Sequence, residues 1–262
     1  MGQVMDNLKL MKNVRDLESP QTLLELIAGM EQHMALYQSG IQEIRTKLEI
    51  LQRDARFGEG HNPIDSIKSR IKSPMSIIEK MYRKGFPISL DSMRANLNDV
   101  AGIRVICPFI EDIYTVAQML TRQDDLVVIK EKDYIKNPKS NGYRSYHLVL
   151  QVPVFLSDRK EMVRVEVQLR TIAMDFWASL EHQIHYKTSC EVPDSVVDEL
   201  KQCADIIAQT DERMQQLSKQ IRCFNAQPTS EGGEEAQEHP LGSLISASVV
   251  GMAGGMAGSH ND

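Results

Sequence analysis

The sequence predicts an α/β (α+β) fold in which a mixed β-sheet is covered by helices and extended by further helices at both ends. Short apolar runs with strand character alternate with segments of helical period, which is the pattern of a helix-covered sheet. The run "MVRVEVQLR" (162–170) alternates apolar and polar residues more strictly than any other stretch and predicts a half-buried strand. With 262 residues, 42% hydrophobic and 25% charged, the chain has the composition of a globular protein that can bury a core without metals or disulfides.

Each element follows from a local signal. Leu23, Leu24, Ile27, Met30, Met34, Ile41, Ile44, Leu48 and Leu51 recur near the helical period and predict one long or broken helix over 21–57, ended by "FGEGHNP". Ser73-Pro74 is a capping residue followed by a proline that suits the first helical turn, so a second helix starts there and stops at Gly85. "VAGIRVICPF" predicts a buried strand bounded by Pro108, followed by a helix over 111–122 and a short strand "LVVIK". The polar loop "EKDYIKNPKSNG" leads to a strand "YHLVLQVPV", then the strand over 162–170 and helices over 171–187 and 194–224. From Ala226 onward Gly, Ser, Ala and acids dominate without period, which predicts a disordered tail. The expected divisions are a helical extension (1–57), a central domain (58–190), a C-terminal helix (191–225) and the tail (226–262).

Several function classes are disfavoured. Cys107, Cys190, Cys203 and Cys223 form no CxxC pair and read as reduced thiols of a cytoplasmic protein. No run of about 18 apolar residues occurs, so no membrane span is expected. A net charge of −6 argues against a generic nucleic-acid coat, DNA included, and RNA binding draws no support from it. Against that balance the segment "KSRIKSPMSIIEKMYRK" stands out, with Lys68, Arg70, Lys72, Lys80, Arg83 and Lys84 against the single acid Glu79.

These patterns point to chemistry at one place. Along "VRVEVQLR" Val163, Val165, Val167 and Leu169 share one face, while Arg164, Glu166, Gln168 and Arg170 share the other. That face is either a solvated surface or a cleft floor in which Glu166 binds a metal or accepts a proton. Lys80, Arg83 and Lys84 lie on one side of their helix, opposite Ile77, Ile78 and Met81, and suit a polyphosphate. No glycine-rich phosphate loop occurs, so a nucleotide here would be held by side chains. Asp99 in "NDVAGIRV" stands just before a strand, where a carboxylate beside phosphates suits Mg²⁺. "EHQIHYK" lacks the H-E-x-x-H spacing of a zinc helix.

Taken together, "NDVAGIRV", "NGYRSYH", "VRVEVQLRT" and "AMDFWASLEHQIHYK" resemble the synthetase domain of the RelA/SpoT family, with the flanking helices of its stand-alone small alarmone synthetases of the RelQ type. The resemblance spans about residues 40–190, and no HD dipeptide of the family's hydrolase half is present. It implies a nucleotidyltransferase-like fold and transfer of the β,γ-pyrophosphate of ATP to the ribose 3′-hydroxyl of GDP or GTP, giving ppGpp or pppGpp and AMP. By that resemblance Arg70 and Arg104 clamp the adenine, and Lys72, Lys80 and Arg83 hold the ATP phosphates. Asp99 and Glu166 would bind Mg²⁺, with Glu166 activating the 3′-hydroxyl. Tyr143 would stack on guanine, with Lys139, His147 and Gln168 around the acceptor, while Tyr146 is expected in the core. A homotetramer is expected as well. Product-activated relatives carry basic or neutral groups where this chain has Glu49, Gln52, Ser66 and Asp175, so little activation by product is expected.

Overall fold

In a computed structural model, residues 20–58, 61–187 and 193–226 are described. The tail expected after Ala226 lies outside them, as does Cys190. The elements run α1 (Pro20–Gly58), β1 (Ser66–Ile71), α2 (Pro74–Arg83), α3 (Leu90–Asn96), β2 (Ala101–Cys107), α4 (Ile110–Thr121), β3 (Val127–Asp133), β4 (Tyr146–Phe155), β5 (Lys160–Thr171), α5 (Ile172–Lys187) and α6 (Asp194–Ala226). The chain divides into two compact units, Met1–Gln220 and Ile221–Asp262, and the sheet and site belong to the first.

The five strands pair in the order β1-β2-β5-β4-β3, with β2 parallel to β5 and every other pair antiparallel. Alternation then sorts the side chains. Ile103, Val105, Leu148, Leu150, Val163, Val165, Val167 and Leu169 are buried on one face. That face is covered by α1 and α4, whose Ile41, Ile44, Leu48, Ile113, Val116 and Leu120 belong to the same core. Helix α1 comes so close to the sheet that a Cβ on Gly40 would lie 2.7 Å from Val163 Cγ1, so this crossing needs a residue without a side chain. Ile44 is fully buried there. Ile44→Ala is expected to destabilise the protein by about 2–5 kcal/mol, read from urea unfolding; a cost below about 1 kcal/mol would mean that α1 is not part of the core.

Helix α2 forms as its sequence predicts. Ser73 caps it by accepting a hydrogen bond from the Ser76 amide at 3.3 Å, Pro74 opens it, and Gly85 follows it with φ of 68°. Ile77, Ile78 and Met81 are buried, and Lys80 and Arg83 stand in its last turn, where cations suit the helix dipole.

Two elements were not expected. Strand β1, "SIKSRI", has only two apolar residues and sits at the sheet edge, where one face needs no burial and no alternation signal arises. Helix α3 has seven residues and buries only Met93, too short a segment to show a period. Strand β3 also runs on to Asp133, three residues into the segment expected as loop, because Lys132 and Asp133 pair with His147 and Tyr146. Tyr146 is in the core, as expected, and donates its hydroxyl to Glu131.

Candidate active site

The register that buries the valines of β5 places its polar residues beside those of three other strands. Glu166 stands opposite Gly102 of β2 and Val149 of β4, and Gln168 opposite Arg104 and His147. On the far side of β2, Arg70 pairs with Gly102 and Lys68 with Arg104. Gly102 therefore leaves a gap in the polar face between Arg70 and Glu166.

Two clefts open on this face. One, of about 140 Å³, is lined by Lys68, Arg70, Gly102, Arg104 and Gln168 together with Asp99 and Glu166. The other, of about 410 Å³, is lined by Lys80, Lys84, Lys130, Lys132, Tyr134, Lys139 and His147, again with Asp99 and Glu166. Two basic clefts thus meet at the same two carboxylates. One has a planar guanidinium on each side of a gap, and the other has lysines and an aromatic ring.

Both carboxylates are held as anions. Asp99 Oδ2 accepts hydrogen bonds from Lys72 Nζ and Lys80 Nζ, each at 2.5 Å. Burial pushes the Asp99 carboxyl up, but the two lysines outweigh it and leave its pKa below the ordinary carboxylate value. Burial likewise pushes Glu166 up, and His147 and Gln168 outweigh it, so Glu166 too sits below its ordinary value. Gln168 Nε2 donates to Glu166 Oε2 at 2.9 Å, and His147 Nδ1 lies 3.4 Å from Oε1. Asp99 Oδ1 is buried with no hydrogen-bond partner. A buried carboxylate oxygen left without a donor, on a residue that lines both clefts together with a second carboxylate, suits Mg²⁺, which takes one or two carboxylates and fills its shell with phosphate oxygens and water. No group of three or more His, Cys, Asp or Glu that could hold a metal occurs among the described residues.

Most residues singled out in the sequence converge here, with five departures: Lys72 reaches the site through its bond to Asp99 and lines neither cleft, Lys80, expected beside ATP, lines the larger cleft, and Arg83, Gln168 and Tyr143 also differ from expectation. Arg83 is exposed and lines neither cleft, although Lys80 and Lys84 on either side of it in the chain both line the larger one. Gln168, expected on the acceptor side, lines the smaller cleft, since its register partner is Arg104. Tyr143 is only 9% exposed, and Lys139 Nζ sits 4.5 Å from its ring centroid, so a base reaches that ring only when the lysine swings away. Tyr134, Lys130 and Lys132 line the larger cleft without having been singled out; "IKEKDY" reads as an edge strand running into a loop, and only its pairing with β4 aims it at His147. Of the residues set against the product-activated relatives, Glu49 pairs with Arg45 at 2.8 Å and Gln52 donates to the Ile64 carbonyl at 2.6 Å. Asp175 binds Arg104 and Arg170, each at 3.0 Å.

A helix-covered mixed sheet whose polar face carries two basic clefts around one carboxylate pair is an α/β protein built to bring two anionic ligands to one point. Residues 69–191 match the family model described as the region found in RelA/SpoT proteins. The chain is 43% identical over 209 residues to GTP pyrophosphokinase YwaC of Bacillus subtilis, covering 80% of this chain and 98% of that one. The crystal structure of small alarmone synthetase 2 from Bacillus subtilis is 44% identical with a TM-score of 0.67, covering 73% of this chain and 98% of that one. Small alarmone synthetase 1 of the same organism, solved bound to its product pppGpp, is 34% identical with a TM-score of 0.68, covering 74% and 98%. It has also been solved bound to AMPCPP, with a TM-score of 0.63. The chain belongs to the RelA/SpoT family and, within it, to the small alarmone synthetases.

Proposed function

We propose that this protein is a GTP pyrophosphokinase that moves the β,γ-pyrophosphate of ATP to the 3′-hydroxyl of GDP or GTP, making ppGpp or pppGpp and AMP. The observation that carries the reading is the meeting of two basic clefts at Asp99 and Glu166, which suits a donor and an acceptor nucleotide whose reacting ends must touch. The smaller cleft takes ATP, with Arg70 and Arg104 flanking the adenine over the gap at Gly102. Lys72 and Lys80, both bonded to Asp99 where the two clefts meet, hold the phosphates, and Arg83 serves as an outer positive charge. The larger cleft takes the guanine nucleotide, with Lys139, Lys132 and His147 toward its phosphates and ribose and Tyr143 beneath the base. Gln168 acts through its hydrogen bond to Glu166.

In the reaction the ribose 3′-oxygen attacks the β-phosphorus, the bond from that phosphorus to the α,β-bridging oxygen breaks, and AMP leaves with that oxygen. Glu166 receives the hydroxyl proton on a carboxylate oxygen. Asp99 and Glu166 would hold Mg²⁺, which when bound neutralises phosphate charge. Lys72 and Lys80, hydrogen-bonded to Asp99, are within a side-chain rotation of the ATP phosphates in this arrangement.

The chemistry is that of a cytoplasmic enzyme. Among the described residues no helix is long and apolar enough to cross a membrane. Assembly as a homotetramer is part of the same reading. Ile172, Phe176 and Leu180 stand four residues apart along α5 and are 55%, 58% and 42% exposed, a stripe that a second copy would cover. Light scattering at micromolar concentration is expected to give the tetramer mass; a stable monomer would end that part of the proposal.

The reading is tested by offering labelled ATP with GDP, GTP, ATP or tRNA as acceptor. Label is expected on the guanine nucleotides alone, and transfer to tRNA or ATP would assign a different acceptor. Tyr143→Ala is expected to raise KM for the guanine nucleotide by about 5- to 150-fold, as loss of about 1–3 kcal/mol of stacking requires, with a smaller change in KM for ATP. An unchanged guanine-nucleotide KM would move the stacking role to Tyr134.

A further inference from the structure

Arg170 is 5% exposed, closes β5, and belongs to neither cleft lining, yet it touches the residues that hold Glu166. Its Nη2 donates to the Tyr143 hydroxyl at 2.8 Å and to Gln168 Oε1 at 3.0 Å, and its Nη1 donates to Asp175 Oδ1 at 3.0 Å. From these contacts two chains run to the same carboxylate. One passes from Tyr143 Oη to His147 Nε2 at 2.9 Å and from His147 Nδ1 to Glu166 Oε1. The other passes through the Gln168 amide to Glu166 Oε2. The five side chains form a closed ring.

A guanidinium donates and never accepts, and it stays protonated. The Tyr143 oxygen therefore accepts from Arg170, and the acceptor beside its own proton is His147 Nε2. That nitrogen must then be bare, so the imidazole proton is on Nδ1, facing Glu166. The opposite tautomer would point a lone pair at a carboxylate and leave the tyrosine proton without an acceptor. Arg170 fixes the Gln168 amide in the same way, its oxygen facing the guanidinium and its nitrogen facing Glu166.

We propose that Arg170, anchored by Asp175, is a positioning residue that sets the polarity of this ring, so that both oxygens of Glu166 accept and His147 is held as its Nδ1–H tautomer. Only the consequence for turnover rests on the proposed function. With one lone pair on each oxygen committed to the ring, the carboxylate is fixed in rotation and presents its remaining lone pairs to the junction of the clefts. Tyr143 joins this frame to the acceptor-side loop, and Asp175, through Arg104, joins it to the donor cleft.

The test is nitrogen NMR of the histidine-labelled, substrate-free full chain at pH 8, with the His147 signal identified by its loss in His147→Gln. Protonation at Nδ1 is expected. Protonation at Nε2, or at both nitrogens, overturns the proposal whatever the activity. Arg170→Met removes every donor and is expected to mix the tautomers and lower kcat about 10-fold or more with KM for ATP within about 2-fold. Arg170→Lys retains donors and charge and is expected to restore the Nδ1–H tautomer and part of the rate. Arg170→Met with unchanged tautomer and kcat would overturn the proposal; if that variant fails to fold, the wild-type tautomer and Arg170→Lys decide. A shifted tautomer with unchanged kcat would keep the ring and remove its catalytic consequence.

Discussion

Glu166→Gln is expected to lower the rate of pyrophosphate transfer by about 10²-fold or more while the protein stays folded and binds both nucleotides. Glu166 lies on the polar face of β5, so the substitution opens no cavity under Val165 or Val167. The glutamine amide keeps the shape, but it carries one acceptor oxygen and has no negative charge. One of the two hydrogen bonds from His147 and Gln168 is lost, a stability cost of about 1 kcal/mol. A ribose hydroxyl is too weak an acid to attack unaided, and an amide cannot take its proton. The pH dependence is part of the expectation. The folded-state pKa of Glu166 is depressed below 4.5, so its ionised form is present from below that pH upward, and its titration gives no acid limb to kcat/KM between about pH 5 and 8. The stability that its partners supply is present above the unfolded pKa and is lost as pH falls through the folded one. Single-turnover rates and a thermal melt of the variant check both halves. Retention of more than about a tenth of the wild-type rate would withdraw the proton-acceptor role.

Asp99→Asn is expected to cost a similar factor of about 10² or more by a different route. The substitution removes the anion to which Lys72 and Lys80 are bound and turns Asp99 Oδ1, the buried oxygen without a partner, into half of a neutral amide. The two lysines are then free for phosphate, so KM for ATP should stay level or fall while kcat falls. A weakened magnesium site should also raise the Mg²⁺ concentration for half-maximal rate. Rates across a Mg²⁺ titration separate the effects. An unchanged Mg²⁺ dependence with a raised KM for ATP would show that Asp99 arranges the lysines and does not hold the metal.

What the sequence makes legible depends on how much of each signal is local. Strand β5 is plain because one side is fully buried and the other polar, so every second residue reports its face. Helix α2 is plain because capping serine, proline and terminal glycine are neighbours in the chain. Strand β1 and helix α3 lack such marks, since one is an edge strand and the other buries a single side chain. In the site, Asp99, Glu166 and the basic cluster stand out by charge and position. Their convergence on two clefts does not, because it depends on β1, β2 and β4 pairing in one register with β5. Tyr134 and Arg170 stayed hidden for the same reason: one looks like a loop aromatic, the other like the last charge of a strand, until the fold brings both to His147 and Tyr143.

One carboxylate pair serves both nucleotides in the proposed reaction, and the pyrophosphate passes between them in one piece. That transfer is tested most directly by following all nucleotides by phosphorus NMR after mixing enzyme, Mg²⁺, ATP and GDP. AMP and ppGpp are expected in equal amounts, with a diphosphate on the 3′-oxygen; ADP as the nucleotide product, or AMP with free pyrophosphate and unchanged GDP, would rule out transfer of the pyrophosphate as a unit.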